Sequence, residues 1–129
     1  MVNYELYFDG SYRNGIGYYG GWIRGNSPIK NTYQGIVPGM ATNNVAEYYG
    51  LIKGLEIVIP IMNKGDTLKI FGDSQLVICQ LTERWRCNFP HLQTLRDQCI
   101  SLLNGKVWRA IWIPRKQNKQ ADVLSRIEN

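Results

Sequence analysis

Two aspartates stand where runs of strand-forming residues give way to glycine and serine. Asp9 follows Tyr4–Phe8 and precedes a Gly-Ser pair, and Asp73 stands between a glycine and a serine just after Thr67–Phe71. We expect both runs to be strands, with each aspartate at the carboxyl end of its strand. A carboxylate in that position is costly unless it is hydrogen-bonded, paired or bound to a metal ion. The two aspartates are therefore candidates for a shared site.

Two further carboxylates, Glu47 and Asp122, fall in the first turns of predicted helices. If both helices pack on the sheet, their amino ends can face the corner formed by Asp9 and Asp73. Four carboxylates in one crevice repel each other strongly unless cations neutralise them. All-oxygen sites favour hard cations such as Mg²⁺ or Mn²⁺. Two such ions about 4 Å apart can activate a water and stabilise the leaving oxygen in phosphodiester hydrolysis.

Each carboxylate also has an ordinary structural interpretation. Asp9 and Asp73 could be turn residues that follow strands. Glu47 could complete a capping box with Asn44, and Asp122 could interact favourably with its helix dipole. The order and surroundings of the four residues together favour a metal site over four separate structural roles.

The residue pattern in the first third of the chain predicts three consecutive antiparallel strands, a β-meander. Strands are expected over 4–9, 16–24 and 31–37, with Asn14-Gly15 forming a type I′ turn between the first two. Four glycines lie between positions 15 and 21. They indicate either a bulge or a face that another element approaches closely.

The rest of the chain alternates helical and strand patterns. Thr42-Asn43-Asn44 offers capping residues for a long helix that Pro60 kinks or ends. Right-handed crossovers then place the strand over 67–71 beside the first strand. The expected order is βββαβααβα, an α/β fold with a mixed sheet. The remaining predicted elements are a helix from Ser74 to about Thr82, a helix over 91–103, a strand over 107–113, a basic loop over 114–117 and a final helix capped by Asn118.

The composition is typical of an ordinary soluble globular protein. The 129 residues suffice for one domain with a hydrophobic core, and no domain boundary is evident within 1–129. No apolar run reaches membrane-spanning length, and the amino end lacks the layout of a signal peptide. We therefore expect a cytoplasmic protein. The net charge of +5 and the sequence pI of about 9.2 favour a nucleic-acid partner.

Three cysteines and the single histidine raise the question of a zinc site. The odd number of cysteines argues against a disulfide framework. Cys79, Cys87, His91 and Cys99 contain no CxxC pair, and two of the cysteines lie among apolar helical residues. Buried thiols are therefore favoured over zinc ligands. His91, which begins a predicted helix away from the carboxylates, is expected to be structural or exposed.

Four segments together carry a family resemblance. They are Phe8–Ser11, Thr42–Tyr48, Gly72–Val77 and Pro114–Asp122, in that order and at compatible spacing. With them the chain resembles type 1 ribonuclease H over nearly its whole length. It most resembles the compact prokaryotic branch, bacterial and archaeal, without an additional amino-terminal hybrid-binding module. The resemblance implies the ribonuclease H-like fold, with a five-stranded sheet in the order 3-2-1-4-5 whose first three strands are antiparallel.

The resemblance also implies an activity and a cofactor. The family cleaves the RNA strand of RNA–DNA hybrids endonucleolytically, leaving 5′-phosphate and 3′-hydroxyl ends, with two Mg²⁺ ions that Mn²⁺ can replace. Asp9 would bridge the ions, and Asp122 would complete the ion that holds the attacking water. Glu47 and Asp73 would hold the ion on the leaving-group side. The expected partner is an RNA–DNA hybrid, bound by a monomer that needs no protein partner and no membrane.

Positions that match the family are expected to contact the substrate. Asn43, Asn44 and Gln75 correspond to residues that read the minor groove, and Thr42 corresponds to a contact with a phosphate of the DNA strand. The backbone at Gly10-Ser11 corresponds to a region that meets RNA 2′-hydroxyls. Short polar side chains suit the wide, shallow groove of a hybrid, which displays hydroxyl groups.

Two segments depart from the family pattern. Many relatives have a histidine in the loop before the last aspartate, where this chain has Arg115 and Lys116. We expect activity to persist, with Arg115 contacting phosphate in its place. Some relatives also have a long basic protrusion after the second helix, and the matching region over 83–88 is short here. Trp85 could still stack on a DNA sugar, with a core tryptophan as the alternative.

Two other functions are compatible with the sequence. One is a non-catalytic nucleic-acid-binding module on the same fold, against which the presence of all four carboxylates argues. The other is a nuclease that acts on double-stranded RNA or a DNA junction. A start methionine close to the first strand favours a free-standing enzyme over a domain of a reverse transcriptase or of a larger polypeptide.

Overall fold

The computed structural model describes residues 1–126, which form strands and helices in the predicted order βββαβααβα. The strands are β1 (Asn3–Arg13), β2 (Ile16–Arg24), β3 (Asn31–Ile36), β4 (Thr67–Gly72) and β5 (Val107–Trp112). The helices are α1 (Asn43–Val58), α2 (Gln75–Leu81), α3 (Pro90–Leu103) and α4 (Lys119–Leu124), with short 3₁₀ turns over Ile59–Ile61 and Arg115–Gln117. Within this part of the chain, no helix has the length and apolar character needed to span a membrane.

A five-stranded mixed sheet organises the fold, in the predicted order β3-β2-β1-β4-β5. β1 pairs with β2, and β2 with β3, in antiparallel fashion. β4 pairs in parallel with both β1 and β5. Asn14 and Gly15, between β1 and β2, have positive φ angles of 52° and 81°, as the predicted type I′ turn requires. β1 is therefore the central strand, with one antiparallel and one parallel neighbour.

The end of β1 differs from the sequence prediction. Asp9 is not at the carboxyl end of its strand, because β1 continues to pair with β2 as far as Arg13 and Ile16. On its other side, the pairing of β1 with β4 stops at Tyr7 and Phe71. Asp9 thus lies just beyond the last parallel pair, within a continuous strand. Its backbone is fixed by β2 at the point where β4 leaves the sheet.

The main core contains buried residues of the sheet and of α1, α2 and α3, and α3 packs against α1. Phe8 of β1 packs in one cluster with Leu51 and Leu55 of α1, and none of the three side chains has exposed area. Burial of a leucine at every fourth position agrees with the helical period of the sequence. The α-helix ends at Val58, and Pro60 lies in the 3₁₀ turn that follows, in agreement with the predicted effect of the proline.

The last helix, α4, packs on the opposite face of the sheet. Successive side chains of β1 alternate between the two faces, so Gly10 faces α1 whereas Asp9 faces α4. A Cβ at Gly20, which pairs with Asp9 across β1 and β2, would lie 2.5 Å from the backbone of Leu124 and Ser125. The glycine therefore marks a close approach, not a bulge. It lets the end of α4 reach the sheet beside Asp9.

Candidate active site

Three carboxylates from three elements meet where β4 leaves β1. Asp9 comes from β1, Glu47 from α1 and Asp73 from the residue after β4, and one oxygen of each lies within 4.8 Å of the others. Asp9 and Glu47 are buried, with 4% and 6% of their surface exposed. The fold thus brings together three of the four carboxylates that the sequence selects as candidate metal ligands.

Glu47 reaches this cluster from the second turn of α1, one turn later than predicted. The helix is capped by Thr42, whose side chain accepts a hydrogen bond from the N–H of Val45 at 3.3 Å. The carboxylate of Glu47 instead accepts a hydrogen bond from the backbone N–H of Gly10. The interpretation of Glu47 as a capping-box partner of Asn44 is therefore wrong. Its carboxylate bonds to β1 and not to the start of its own helix.

Two glycines bring α1 and β1 into direct backbone contact. A Cβ at Gly10 would lie 2.2 Å from the backbone carbonyl carbon of Ala46. From the helix side, a Cβ at Gly50 would lie 2.5 Å from the carbonyl oxygen of Asp9. Any larger side chain at either position would push the helix away from the strand. The contact therefore places the Glu47 carboxylate beside Asp9.

Asp73 is held by the turn between β4 and α2. Ser74 caps α2 as predicted, and its side chain accepts a hydrogen bond from the N–H of Val77 at 3.2 Å. The indole Nε1–H of Trp112 donates to the backbone carbonyl of Asp73 at 3.1 Å. The start of α2 and the end of β5 thus fix the backbone of Asp73 from two sides.

Asp122 of α4, the fourth candidate ligand, lies outside this group of three and is paired with two arginines. Its Oδ1 accepts a hydrogen bond from Nε of Arg126 at 3.0 Å and lies 3.6 Å from Nη2 of Arg115. The hydroxyl of the fully buried Ser125 lies 2.8 Å from the carbonyl oxygen of Asp122 and 3.3 Å from Oδ2 of Asp9. The last helix therefore supplies the fourth carboxylate together with a hydroxyl that touches the first.

Asn118 has a different role from the one its sequence position predicts. It occupies the N-cap position of α4, but its side chain makes no capping hydrogen bond. Its Nδ2–H donates instead to the carbonyl oxygen of Phe8 at 2.9 Å, and the side chain is buried. Asn118 thus ties the start of α4 to β1 at the residue next to Asp9.

Burial and mutual repulsion raise the pKa values of three carboxyl groups. Burial is the main cause for Asp9, whose pKa is raised to about 7, and the charge of Asp73 adds to the effect. The pKa of Glu47 is raised well above its ordinary value by burial and by the neighbouring Asp9. Burial also raises the pKa of Asp73, although the Arg115 guanidinium opposes the shift. Without a cation, the Asp9–Glu47 pair therefore retains a proton near neutral pH.

Asp122 behaves in the opposite way. Burial alone would raise its pKa, but the hydrogen bond from Arg126 and the charges of Arg126 and Arg115 outweigh burial and lower it. Asp122 is therefore ionised at a pH where Asp9 and Glu47 still share a proton. The site has a protonated side between β1 and α1 and an ionised side next to the arginines.

The donor set fits a hard divalent cation. All the converging side-chain atoms are carboxylate oxygens, the ligand type that Mg²⁺ and Mn²⁺ prefer. The raised pKa values of Asp9 and Glu47 indicate that positive charges of the protein do not compensate the two carboxylates when both are ionised. A bound cation would supply the missing positive charge and favour the ionised carboxylates.

The carboxylates open onto a cavity of about 340 Å³ with a polar and basic wall. Five predicted substrate contacts belong to this wall: Gly10, Ser11, Asn43, Asn44 and Arg115. Four residues that were not predicted as substrate contacts also line it: Tyr12, Arg13, Ser74, which lies within a motif, and Arg126. Tyr12 and Arg13 lie beyond the predicted end of the first strand. Arg126 has a signal in the sequence, because it follows Asp122 at the four-residue spacing of helical ion pairs.

Three predicted substrate contacts lie outside this cavity. Gln75, exposed at the start of α2, lines a neighbouring groove that also contains Trp112. Thr42 lines a separate, mostly apolar depression near His91. Trp85 is 45% exposed in the segment after α2, so the alternative of a core tryptophan is wrong. The roles of Gln75, Thr42 and Trp85 in substrate binding stay predictions.

The cysteines do not form a second metal site. Cys79, Cys87 and Cys99 are buried free thiols, the interpretation that the sequence favours. Among residues 1–126, the Asp9–Glu47–Asp73 cluster is the one group of three or more His, Cys, Asp and Glu side chains close enough to share a cation. His91 is exposed at the start of α3.

Known proteins share this fold. Residues 7–127 match the reverse transcriptase-like family. Ribonuclease HI of Halobacterium salinarum is 39% identical over 125 residues, an alignment that covers 94% of this chain and 61% of that protein. The chain thus spans less than two thirds of the length of this curated relative.

Solved structures agree with the family match. RNase H1 of Halobacterium salinarum has a TM-score of 0.85 at 34% identity, covering 95% of this chain and 93% of that chain. The N-terminal RNase H domain of Rv2228c from Mycobacterium tuberculosis has a TM-score of 0.88 at 31% identity, covering 96% of this chain and 91% of that chain. LC11-RNase H1, solved in complex with RNA/DNA hybrid, shares the fold at a TM-score of 0.85 and 24% identity, over 94% of this chain and 92% of that one. This chain therefore belongs to the reverse transcriptase-like family and has the fold of type 1 ribonuclease H.

Proposed function

We propose that the chain is a divalent-metal-dependent endoribonuclease that hydrolyses the RNA strand of RNA–DNA hybrids. The observation that carries the proposal is the convergence of Asp9, Glu47 and Asp73 within 4.8 Å at a cavity with polar and basic walls. Clustered carboxylates that hold cations suit attack on a phosphodiester. A module that only binds nucleic acid would gain from losing them, because they repel the phosphate backbone.

Asp9, Glu47 and Asp73 would hold the metal, and Asp122 would complete a second position beside Asp9. We propose Mg²⁺ in a two-ion arrangement, with Mn²⁺ as a substitute. When bound, the ions supply an activated water and stabilise the leaving oxygen, which gives 5′-phosphate and 3′-hydroxyl ends. The protein keeps the ligands in place through the N–H of Gly10, which bonds to Glu47, and the packing of α4 beside Asp9.

The hybrid would lie across the cavity with its RNA strand over the carboxylates. Ser11, Asn43 and Asn44 offer short polar side chains to the 2′-hydroxyls and base edges of its shallow groove. Arg115 offers positive charge to a phosphate, and the net charge of +5 favours an anionic partner. The relatives support the same substrate, since the halobacterial protein is named ribonuclease HI and LC11-RNase H1 binds a hybrid with the same fold.

The proposed activity is that of the domain contained in this chain. The chain spans 61% of the length of the halobacterial relative. Any statement about the activity, substrates and partners of the whole protein is therefore also a proposal. A monomer that acts in the cytoplasm, without a membrane or an obligate protein partner, belongs to it as well.

Cleavage of a matched set of labelled duplexes tests the activity. The set contains an RNA–DNA hybrid, double-stranded RNA, double-stranded DNA and a DNA duplex with one ribonucleotide, each with Mg²⁺, Mn²⁺ or EDTA. We expect the RNA strand of the hybrid to be cut with either metal and to stay intact in EDTA. Asp73→Asn should abolish cutting and retain or improve hybrid binding, because it removes a metal ligand and a negative charge. Asp97→Asn, at an exposed carboxylate of α3, is the matched control and should cut like the wild type.

Each contrary outcome identifies a different alternative. Tight hybrid binding without cutting in either metal would indicate the non-catalytic binding module. Preferred cutting of double-stranded RNA would indicate the nuclease with another target. Cutting by the Asp73→Asn variant would show that the assignment of this carboxylate to the metal is wrong.

A further inference from the structure

Arg126 lines the cavity and makes the shorter of the two arginine contacts to Asp122, a carboxylate that the metal would also need. Its Nε donates to Oδ1 of Asp122 at 3.0 Å, between positions four apart. Asp122 would present this same carboxylate to a cation. The Arg126 side chain is 48% exposed and lines the cavity that receives the substrate in the proposed function. One arginine therefore both pairs with a candidate metal ligand and lines the cavity proposed to receive the substrate.

The backbone of Arg126 is anchored, so a change of partner needs only the side chain. Its N–H donates to the carbonyl oxygen of Val123 at 3.1 Å, and its own carbonyl oxygen accepts from Nη2 of Arg13 at 3.2 Å. The preceding residues of α4 pack directly on Gly20 of the sheet. Rotation about side-chain bonds can redirect the guanidinium without moving the helix.

A cation at Asp122 competes directly with this ion pair. Exposed ion pairs are weak beside the attraction between a divalent cation and several carboxylates. Arg115, at 3.6 Å from the same oxygen, is a second and more distant guanidinium. An arginine released from Asp122 remains at the cavity wall, where its planar fork of N–H donors matches a phosphate.

We propose that Arg126 exchanges partners as the site fills. It pairs with Asp122 while no cation is bound, and it binds a phosphate of the cleaved strand once a divalent cation takes Asp122. The exchange rests on the proposed function and couples cation binding to substrate binding through one side chain. Arg126 is then a substrate contact that becomes available only in the metal-loaded protein.

Nuclear magnetic resonance of the arginine side chains tests the first half of the exchange. Comparison of the wild type with Arg126→Gln assigns the Nε–H signal of Arg126. Titration with Mg²⁺ should move this signal toward the position of a free arginine, and a hybrid added afterwards should move it again. Arg126→Gln should also bind Mg²⁺ about twofold to fivefold more tightly, the gain expected from removing a competing exposed ion pair. A signal that Mg²⁺ leaves unchanged would overturn the exchange.

The salt dependence of hybrid binding tests the second half. Affinity is measured in EDTA and in Ca²⁺, with gel electrophoresis confirming that the hybrid stays intact. In Ca²⁺, Arg126→Gln should reduce the slope of log affinity against log salt by about 0.7–0.9, the change expected when one phosphate contact is lost. In EDTA, the variant and the wild type should have the same slope. Arg126→Lys should restore most of the slope, because it keeps the charge. Arg96→Gln is the matched control, since it removes an arginine paired with Asp97 on α3, and its slopes should equal those of the wild type.

These measurements need no cleavage, so they separate the exchange from the proposed activity. Equal slopes for Arg126→Gln and the wild type in Ca²⁺ would overturn the exchange even in an active nuclease. A moving Arg126 signal and a reduced slope in a protein that cuts nothing would support the exchange and refute the nuclease activity.

Discussion

Ser125 places its hydroxyl 3.3 Å from Oδ2 of Asp9, across the contact between α4 and β1. The residue is fully buried, so water does not compete for this contact. The hydroxyl has one proton, and the carbonyl oxygen of Asp122 at 2.8 Å is its nearer acceptor. Rotation of the hydroxyl toward Asp9 would favour the ionised form of this buried carboxylate, which is the form that binds a cation. Ser125→Ala should therefore weaken Mg²⁺ binding to the metal-free protein by about tenfold, the loss expected for a hydrogen bond to a charged group. Isothermal titration calorimetry measures the change.

Thr94→Ala is the matched control for this variant. Oγ1 of Thr94 donates to the carbonyl oxygen of Pro90 at 3.1 Å on α3, so this variant also loses a hydroxyl bonded to a helix backbone. Both variants should lose about 1 kcal/mol of unfolding free energy or less, but only Ser125→Ala should lose cation affinity. Equal Mg²⁺ affinities in the two variants would show that Ser125 stabilises α4 and does nothing for Asp9.

Gly20 is where an added methyl group should separate α4 from the sheet. The new Cβ would lie 2.5 Å from the backbone of Leu124 and Ser125, and backbone cannot move aside as a flexible side chain would. Gly20→Ala should lower the free energy of unfolding by about 1–3 kcal/mol, the usual cost of overpacking. It should also weaken Mg²⁺ binding, because Asp122 is displaced together with the helix. Urea unfolding and calorimetry report the two effects.

Gly65→Ala separates general strain from displacement of the helix. Gly65 has a φ of +93°, and a Cβ added there would have no atom within 4 Å, so alanine strains the backbone without a steric clash. This variant should lose stability and keep its Mg²⁺ affinity. Unchanged affinity in Gly20→Ala would mean that the position of α4 does not matter for the cation.

The sheet and the main carboxylates follow from local signals in the sequence. The Asn14-Gly15 turn and the alternation of apolar residues predict the antiparallel half, and right-handed crossovers predict the parallel half. The sequence predicts that Asp9 and Asp73 lie close together, because both follow apolar runs that form neighbouring parallel strands. The strands and turns are indicated by residues within them, and a general rule of chain topology then connects the distant strands.

The rest of the site depends on contacts between distant parts of the chain. Ser125 meets Asp9 across 116 positions, and nothing local to either residue indicates the contact. The extension of β1 to Arg13 depends on its register with β2, which intrinsic propensity does not specify. Asn118 is a good capping residue by type, but packing offers its side chain the carbonyl of Phe8. Tertiary context overrides the local preference there.

The cysteine thiols should be unreactive in the folded protein. Burial raises the pKa of Cys99 to about 12 and also raises the pKa of Cys87. Since the thiolate is the reactive form, little of either residue reacts at pH 8. Titration with DTNB should detect almost no fast-reacting thiol in the native protein and all three cysteines after unfolding in guanidinium chloride. Stoichiometric zinc in the purified protein, with thiols that react only after chelation, would instead favour the zinc site.

Asp9 should make the stability of the metal-free protein depend on pH. Burial raises its folded pKa from 3.8 to about 7, so between these values the folded protein holds a proton that the unfolded chain has released. The unfolded state then binds fewer protons than the folded state, and the free energy of unfolding falls as pH rises through this window, by up to about 1.4 kcal/mol per pH unit for one proton. Asp9→Asn should show a smaller loss, and the part that remains belongs to Glu47, whose pKa burial also raises. Urea unfolding in EDTA at several pH values compares the two proteins, with Asp97→Asn as the control that follows the wild type.

The same proton should be released when a cation binds, because the metal takes the ionised carboxylate. Mg²⁺ affinity should rise with pH, and it should rise more steeply below about pH 7, where Asp9 is still protonated without the metal. Calorimetry in buffers with different heats of ionisation counts the protons released. Their number should fall by close to one between about pH 6 and pH 8, because Asp9 titrates within that interval. Glu47, whose pKa is also raised, would continue to release a proton wherever its pKa exceeds the pH of the measurement. A proton count that stays constant across this interval would mean that Asp9 is already ionised in the metal-free protein, and that burial does not control its charge.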